Sequence, residues 1–565
     1  MQLHHGLAVL AAGFLRQAPR ALSHPSINMP NGWYQCSTYT VLDGTDQSDN
    51  DADCAMFEAP LCYPGICEAP VDANPTIDVF VKRMPASMGK AKRASNLWLI
   101  AGGPGAPSTD MEYLMETLHA RLDGTVNVYM MDHRGTGRST LLDCVALQSM
   151  TKGSASSRTI DPSEVPSCAR ELHRKYKTLA PFSTTSAAMD ISAFISEYTN
   201  GASTIVFGVS YGTMVVQRLM HFNPSNVTGY VLDSIVTYSG APGDRAYLTN
   251  VDADFGDVGE RFMALCAQDS KCDSHFKTTD LSATLHNVLS IFDSVSNSTC
   301  ATLIRNSTDV QPSVILRRTL GRLMKDSQMR LMIPPLVYRI SRCGTDDVNV
   351  LTHFFKHRYA MNLKTNEDPG HTSVLLHHLI VFSEMWEIPT PSHTELRNRL
   401  MDVNIASGSA FYSRCLYCAF SKDISPGCDE IELGRYDADG ITYPRDQLWN
   451  KIPILPGQAS VLLMNGKLDS LTHFKYATAL FEALDTTRKK LILFDNAPHS
   501  IIDSTPFGED DYTCGEELLA SFVANNGDLE RLDTSCIAKL PAFNMTLTPE
   551  YLHNFFGTND AYDGA

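Results

Sequence analysis

The chain has 565 residues, with 46 Lys and Arg against 63 Asp and Glu, and its formal net charge is −17. Hydrophobic residues make up 43% and charged residues 19%, a globular composition that excludes disordered and collagen-like chains. The negative charge argues against nucleic acid as a partner, because phosphates would be repelled. The 15 cysteines indicate an oxidising compartment rather than the cytosol.

Residues 1–23 are predicted to be a signal peptide. The apolar run Gly6–Leu15 is too short to cross a bilayer, which takes about 20 residues, but it fits the hydrophobic region of such a peptide. The alternative is a poorly ordered tail. No second apolar run reaches membrane-spanning length, so we expect no stable membrane anchor. These features predict a protein that is secreted or lies in the lumen of the secretory or lysosomal–vacuolar pathway.

The cysteines fall into short-range groups, which is typical of disulfides that close loops. Their odd number leaves at least one thiol free or bonded to another molecule. Zinc is the alternative for Cys415, Cys418 and Cys428, but a second closely spaced ligand pair is missing. The acidic stretch 43–53 does not fit a calcium loop, because Cys54 and Pro60 stand where Gly and Glu are needed. We therefore expect no metal and no cofactor.

Four Asn-x-Ser/Thr sequons are candidate N-glycosylation sites, although such triplets also arise by chance. They begin at Asn226, Asn297, Asn306 and Asn544.

Short, almost continuous apolar runs are typical of strands that are covered on both faces, as in a parallel sheet. Segments with helical periodicity, such as 111–122 and 187–198, alternate with these runs. This alternation predicts an α/β sheet with right-handed crossovers. The predicted strands are 76–81, 96–101, 126–132, 203–208, 229–234, 460–465 and 491–495.

The pattern changes between residues 241 and 450, where helical periodicity dominates and strand-like runs are few. Such a block is most simply a cap inserted into the sheet domain. That domain would then comprise residues 24–240 and 451–565. Ligands of open α/β sheets bind outside the carboxyl ends of the strands, so we expect the cap to cover the active site.

The motif Gly208-Val209-Ser210-Tyr211-Gly212 lies between a predicted strand and a predicted helix. A G-x-S-x-G motif in this setting indicates a nucleophile elbow, in which the glycines leave room for a sharp turn around the serine. The following helix directs its positive amino-terminal end toward the site. An ordinary glycine turn is the alternative. Ser210 is therefore the candidate nucleophile.

A serine nucleophile needs a base and an acid that orients the base, in the chain order Ser, Asp or Glu, His. Asp469 and His499 fit, since each follows the carboxyl end of a predicted strand. The competing histidines His221 and His473 lie on helical segments. A lone histidine is more often structural, and the order and placement of His499 single it out.

The glycine-rich segment 101–105 follows the strand 96–101 and is the candidate oxyanion loop. Its glycines allow a peptide N–H to approach substrate, and Gly103 and Tyr211 would supply the two donors. The segment could instead cradle phosphate, but neither the P-loop motif nor G-x-G-x-x-G is present.

In combination, AGGPG (101–105), DHRGTGRS (132–139), GVSYG (208–212), Asp469 and His499 resemble the proline iminopeptidase and tripeptidyl aminopeptidase branch of the α/β-hydrolases. The resemblance implies a mostly parallel central sheet with helices on both faces and a large helical cap. It also implies a serine exopeptidase, secreted or vesicular, that releases residues or short peptides from a free amino terminus. Its partners would be peptide substrates, and the oligomeric state is not indicated.

Two other functions remain compatible with these motifs. A serine esterase or lipase would use the same machinery with a different substrate pocket, since fold does not dictate substrate. A non-catalytic binding protein on the same scaffold is disfavoured, because the nucleophile, base and oxyanion glycines are all present. For an exopeptidase we expect a cap carboxylate that binds the substrate ammonium. Glu384 is the candidate, and Glu387 is the alternative.

Overall fold

The structure is a computed structural model. It describes residues 32–40, 51–144, 160–294, 297–305, 309–361, 372–508 and 512–564. The predicted signal peptide at 1–23 and the sequon at Asn306 lie outside the described residues.

Nine strands of the described chain form one sheet in the order β1-β2-β3-β5-β4-β6-β7-β8-β9. The six strands β4 to β9 run parallel, while β1, β2 and β3 add an antiparallel edge beside β5. All seven strands expected from the apolar runs are present. The bounds are β1 Tyr34–Cys36, β2 Ala52–Pro60, β3 Thr76–Met84, β4 Asn96–Ile100, β5 Asn127–Met131, β6 Thr204–Val209, β7 Val227–Asp233, β8 Ser460–Gly466 and β9 Lys489–Phe494.

Helices cover both faces of the sheet, which is why the central strands are apolar at nearly every position. Strand β4 is buried throughout. Its residue Trp98 packs among the side chains of the helices 184–198 and 211–222 on one face. Leu97 and Leu99 pack on the other face with the helices 112–121 and 514–524. Alternate residues of β4 therefore pack in two hydrophobic cores, one on each face of the sheet, as expected where helices cover both faces.

The segments 111–122 and 187–198 are helical, as their periodicity predicted. The periodic segment 313–333 is not one helix, because regular α-structure ends at Leu323 and resumes at Ile333. No helix in the described ranges is both long and apolar enough to cross a bilayer. The helices are α1 Glu112–Arg121, α2 Val165–Tyr176, α3 Thr184–Tyr198, α4 Tyr211–Phe222, α5 Val251–Ala264, α6 Ser270–His275, α7 Leu281–Ser294, α8 Thr299–Arg305, α9 Pro312–Leu323, α10 Ile333–Arg342, α11 Thr345–Met361, α12 Val374–Glu384, α13 His393–Met401, α14 Ser409–Ser421, α15 Pro426–Asp429, α16 Phe474–Ala483, α17 Ile501–Ser504, α18 Cys514–Ala524 and α19 Pro549–Tyr551.

The region between β7 and β8 contains helices and no strand among its described residues, as expected of an inserted cap. Its first half, from α5 to α11, forms a buried cluster of its own. Its second half packs into the core on the α3–α4 side of the sheet, for example through Leu379 and Trp386 of the segment that includes α12. The cap is therefore partly continuous with the core.

The segment 543–564 packs on the cap helices rather than on the sheet. Phe556 and Tyr562 are buried in the same cluster as α7 and α10. The Arg339 guanidinium of α10 donates to the carbonyl oxygens of Asp560, Ala561 and Gly564, at 2.7 to 3.0 Å. The segment, which was expected to belong to the second part of the sheet domain, shares the buried cluster of the cap helices.

Seven disulfides close loops within the described chain, and Cys415 is a free, exposed cysteine. Because Cys418 and Cys428 are bonded to each other, they cannot serve as zinc ligands. The bridge between Cys300 and Cys343 spans 43 residues and joins α8 to the end of α10. The pairs are Cys36–Cys54, Cys62–Cys67, Cys144–Cys168, Cys266–Cys272, Cys300–Cys343, Cys418–Cys428 and Cys514–Cys536.

We expect the folded protein to react with one equivalent of iodoacetamide without reductant, at Cys415, because the other 14 cysteines are paired. Reduction and unfolding should raise the number of alkylated cysteines to 15. Intact-mass spectrometry measures both numbers, and Cys415→Ser is the control that should abolish the first reaction. Complete alkylation of the unreduced protein would contradict the disulfide assignment.

Candidate active site

Ser210 occupies a sharp turn between β6 and α4. Its φ of 55° lies in a region that is strained for a residue other than glycine. The flanking glycines are required by space. A Cβ on Gly208 would lie 2.6 Å from the carbonyl oxygen of Gly212, and one on Gly212 would lie 2.5 Å from that of Ile100. The predicted elbow is therefore present, with Ser210 half-buried at the amino-terminal end of α4.

The glycine-rich loop after β4 approaches Ser210 closely. A Cβ on Gly102 would lie 3.1 Å from the Ser210 Cβ. Gly103 has a φ of 118°, which favours glycine. Among the described residues, the backbone N–H groups of Gly103 and Tyr211 donate to no protein acceptor. Both predicted oxyanion donors are therefore available to a ligand beside Ser210.

Asp469 and His499 form the predicted acid–base pair. The carboxylate follows β8 and the imidazole follows β9, and the His499 Nδ1 lies 2.9 Å from Asp469 Oδ2. Asp469 is fully buried and also accepts from the Thr472 hydroxyl, at 2.6 Å, and from the Thr472 backbone N–H, at 2.8 Å. With Nδ1–H donated to Asp469, Nε2 of His499 carries the lone pair that a base needs.

Electrostatics keep this pair in the form that a base requires. Burial alone would raise the pKa of Asp469, but His499 and the hydrogen bonds from Thr472 outweigh it, and the pKa lies below its usual value. Burial alone would lower the pKa of His499, but the Asp469 carboxylate outweighs it, and the pKa lies above its usual value. Asp469 is thus ionised and able to stabilise an imidazolium.

Ser210 follows β6 and His499 follows β9, so both lie beyond the carboxyl ends of parallel strands of the sheet, without a hydrogen bond between them. The Ser210 hydroxyl donates to no acceptor among the described residues, although its backbone N–H donates to the Asp233 carbonyl, at 2.9 Å. Hydrogen bonds of this kind are often long in a ligand-free enzyme and shorten when substrate binds. The Asp469–His499 hydrogen bond is therefore formed, while no hydrogen bond joins Ser210 to His499 among the described residues.

The competing histidines are engaged elsewhere. His473 begins α16, where its Nε2 lies 2.7 Å from Asp257 of the cap helix α5. His221 is buried in α4, where burial and the nearby Arg218 lower its pKa to about 4. Among the described residues, neither imidazole is hydrogen-bonded to Ser210 or Asp469, and His499 is the histidine that contacts Asp469.

The cap contacts the loops that carry the site. The backbone N–H of Ser373, at the start of α12, donates to the Gly105 carbonyl at 2.9 Å, and His377 Nδ1 lies 3.0 Å from the Pro104 carbonyl oxygen. Arg330 donates to the carbonyl of Asn496, three residues before His499, at 2.6 Å. These contacts join the cap to the glycine-rich loop after β4 and to the loop that carries His499.

Glu384 lies at the end of α12 and is only 2% exposed. Its carboxylate accepts from the Tyr443 hydroxyl at 2.7 Å and from Arg218 at 3.2 Å, and it lies 3.3 Å from the Thr184 backbone nitrogen. No short motif in the sequence indicates these partners. The alternative candidate, Glu387, forms an ion pair with Arg399.

Sequence reasoning missed three residues that support the site, namely Thr472, Asp233 and Ser234. Thr472 follows Asp469 by three residues. At this spacing the chain turns back, so that the hydroxyl and the backbone N–H of Thr472 both donate to the Asp469 carboxylate. Asp233 is the last residue of β7, next to the strand that leads to Ser210. The sequence feature that could have identified Asp233 is an acidic residue at the carboxyl end of β7, the strand that neighbours β6.

We expect Gly212→Ala to destabilise the fold, because the added Cβ would meet the carbonyl oxygens of Ile100 and Ala101, which are backbone atoms that cannot easily move. Overpacking of this kind costs about 1–3 kcal/mol. Urea unfolding measures the change in the free energy of unfolding. The control is Gly243→Ala, where no atom lies within 4 Å of the added Cβ. Equal midpoints for the two variants would contradict the packing described here.

Comparison with known proteins supports the fold. Residues 97–309 match the family model described as the alpha/beta hydrolase fold. "Putative hydrolase YuaR" of Escherichia coli (strain K12) is 22% identical over 244 residues, which are 42% of this chain and 48% of that protein, so the match spans about half of the relative's length.

Two solved structures illustrate the likeness. An esterase from Exiguobacterium antarcticum has a TM-score of 0.29 and 11% identity, and the match covers 77% of this chain and 94% of the esterase. Acetyl xylan esterase 1 from Thermoanaerobacterium sp. has a TM-score of 0.30 and 10% identity, with coverages of 86% and 88%. These scores are too low for a comparison of sites. The strand order, the turn at Ser210 and the family match on residues 97–309 together show that the chain has an α/β-hydrolase fold with a helical insertion between β7 and β8.

Proposed function

We propose that the chain is a serine hydrolase whose nucleophile is Ser210. The observation that carries this proposal is the buried Asp469–His499 pair, which lies at the same end of the sheet as the strained Ser210 turn. A serine hydroxyl is a weak nucleophile until a base accepts its proton. His499 Nε2 is the base, and Asp469 holds the imidazole in the required tautomer.

The proposed reaction proceeds by acyl transfer in two stages. Ser210 Oγ attacks the substrate carbonyl as His499 takes its proton, and the carbonyl oxygen becomes an oxyanion that the N–H groups of Gly103 and Tyr211 bind. The imidazolium then protonates the leaving group, which leaves an acyl-enzyme. Water attacks the acyl carbon as His499 accepts a proton from that water. Return of the proton to Ser210 releases the acid product.

The proposed substrate is the free amino-terminal end of a peptide, from which an amino acid or a short peptide is released. Support comes from the motif combination described above and from Glu384, a buried carboxylate whose charge acts on the Tyr211 hydroxyl. An ammonium that reached Glu384 would compete with Arg218 for the carboxylate. In a desolvated site such a charged pair is strong, and an acetylated amine could not form it.

Secretion is part of this proposal. Seven disulfides are typical of proteins that fold in an oxidising compartment. Asn297 and Asn544 are exposed, and Asn226 is partly buried at the start of β7. Of the described sequons, the two exposed ones are therefore the sites at which we propose glycosylation.

We expect an organophosphonate probe to label the wild-type protein at Ser210, and Ser210→Ala to abolish both labelling and turnover. Loss of the serine in a known triad enzyme lowers kcat by about 10⁶-fold. Mass spectrometry of the labelled peptide locates the adduct. Ser504→Ala, which changes a serine outside the site, is the control and should label normally. Turnover of Ser210→Ala within tenfold of wild type would refute the assignment.

We expect Glu384→Gln to lower kcat/KM for substrates with a free amino terminus, because it removes the negative charge that attracts the ammonium. Breaking a buried charge pair costs about 2–5 kcal/mol, which is roughly 30-fold to several thousand-fold. The substrates are chromogenic amides of one, two or three residues, each free or acetylated. Glu387→Gln is the control, since its carboxylate forms an ion pair with Arg399 near the surface.

The outcomes of this panel separate the possible functions. Equal cleavage of free and acetylated amides by the wild type would refute amine recognition. Cleavage of short acyl esters alone would indicate an esterase with the same triad. An equal fall in the phosphonate labelling rate and in kcat/KM of Glu384→Gln would mean that Glu384 supports the fold through Arg218 and Tyr443 instead of binding substrate.

A further inference from the structure

Asp233 is a fully buried carboxylate that lies between the Ser210 turn and the His499 loop. It ends β7, which pairs with β6 on one side and β8 on the other. Its carbonyl oxygen accepts the backbone N–H of Ser210 at 2.9 Å. The main chain of Asp233 therefore contacts the nucleophile, while its side chain points to another part of the site.

The Asp233 carboxylate holds the chain that follows His499. Oδ1 accepts the N–H of Ile501 at 2.9 Å, and Oδ2 accepts the N–H of Ile502 at 2.8 Å. The Ser234 hydroxyl donates to Oδ1 at 3.0 Å and accepts the N–H of Ser500 at 2.8 Å. Asp233 and Ser234 thus satisfy three consecutive N–H groups directly after the base.

The backbone on both sides of this contact is strained. Ser234 has a φ of 57° and Ser500 a φ of 65°, a region that residues other than glycine rarely adopt. Such conformations persist only where surrounding interactions determine them, and they concentrate at functional sites. The hydrogen bonds to Asp233 and Ser234 are the interactions that hold Ser500, and through it His499, in this position.

Charge links Asp233 to His499 as well. Burial raises the pKa of Asp233 to about 7, against the opposing effect of the Ile501 and Ile502 N–H groups, the Ser234 hydroxyl and His499. Burial would lower the pKa of His499, but Asp469, Asp233 and Asp503 together outweigh burial, so the pKa is raised. Three carboxylates therefore favour the imidazolium, and Asp233 is the one among them that also binds the backbone of the His499 loop.

We propose that Asp233 is a positioning residue of the proposed serine hydrolase, whose carboxylate holds the His499 loop against the Ser210 turn and adds negative charge beside the imidazole. This inference rests on the proposed function. It assigns Asp233 no contact with substrate. A change at Asp233 should therefore alter kcat and its pH dependence much more than KM.

The test is Asp233→Asn, assayed for kcat, KM and the pH profile of kcat/KM, with phosphonate labelling of Ser210 measured in parallel. The asparagine amide has no charge and keeps one oxygen, which can accept one of the two N–H groups of Ile501 and Ile502. Its NH₂ group faces the other N–H, and two donors cannot form a hydrogen bond. Displacement of a catalytic group by about 1 Å can cost 10²-fold, so we expect kcat to fall about ten- to a hundredfold, with KM within about threefold of wild type.

The pH profile tests the charge. His499 must be neutral to act, so activity is lost as pH falls through its raised pKa, and the acid limb of the wild type should lie above about 6.5. Burial raises the pKa of Asp233 to about 7, so its carboxyl is ionised in only part of the molecules near neutral pH, and removal of that charge makes the imidazolium less favourable. The acid limb of Asp233→Asn should therefore move to lower pH. If Asp233 only filled space in the core, Asp233→Asn would leave the acid limb of the pH profile at the same pH as in the wild type.

Two control variants separate charge from hydrogen bonding. Asp503→Asn removes an exposed carboxylate near His499 that bonds to the Ser500 hydroxyl and to none of the three N–H groups, so it should leave kcat within about threefold of wild type. Ser234→Gly removes the hydroxyl that holds the Ser500 N–H and relieves the strained φ. It should lower kcat severalfold and leave the acid limb in place.

The outcomes distinguish the failure of this inference from failure of the proposed function. No labelling of the wild type at Ser210 would refute the proposed function. Normal labelling of the wild type, with Asp233→Asn retaining wild-type kcat and an unmoved acid limb, would refute the role of Asp233 alone. If Asp233→Asn does not fold, Ser234→Gly decides, and a wild-type kcat in that variant would overturn the positioning role.

Discussion

The site depends on the close approach of the helix α4 to the strand β4 beside β6. At Gly212 the helix backbone comes so near to the carbonyl oxygen of Ile100 that no side chain fits between them. This contact forces the chain to leave β6 through the strained conformation of Ser210. It also brings the loop that begins at Gly102 against the serine. The positions of the proposed nucleophile and of the loop that carries a proposed oxyanion donor are therefore consequences of one backbone contact, which glycine alone permits.

A second constraint is the burial of charge beside this turn. Asp469 and Asp233 are both fully buried, and each is stabilised by backbone N–H groups and hydroxyls rather than by Lys or Arg. An adjacent cation would neutralise the negative charge that the imidazolium needs. Hydrogen bonds satisfy the carboxylates and leave their charge acting on His499. The arrangement suits a base that becomes cationic for part of each catalytic cycle.

The sequence predicted those parts of the fold that depend on local patterns. Strands β3 to β9 are continuous apolar runs because both faces of the sheet are covered, and the triad followed from the order of Ser210, Asp469 and His499 at strand ends. Strands β1 and β2 were not singled out as apolar runs. The nine-residue β2 includes Asp53, Glu58 and Pro60, and its partly exposed positions at the edge of the sheet tolerate them.

What the sequence did not reveal depends on contacts between distant segments. The partners of Glu384 come from Thr184, Arg218 and Tyr443, which lie 200, 166 and 59 residues away. The Asp233 side chain finds its N–H donors 268 and 269 residues later. No periodicity or short motif in the sequence indicates these hydrogen-bond partners. They arise because parallel strands, distant in sequence, end side by side at one edge of the sheet.

The packing of segment 543–564 on the cap has a consequence for the order in which the chain can fold during translation. Helices α7 and α10 are synthesised 200 residues or more before Phe556 and Tyr562, which share their buried cluster. The carbonyl groups bound by Arg339, those of Asp560, Ala561 and Gly564, are synthesised at the same late stage. Until then the apolar faces of the cap helices stay incompletely covered, and such nascent surfaces are prone to aggregation. The bridge between Cys300 and Cys343 can form before that segment appears, and it would hold the unfinished cap together while synthesis continues.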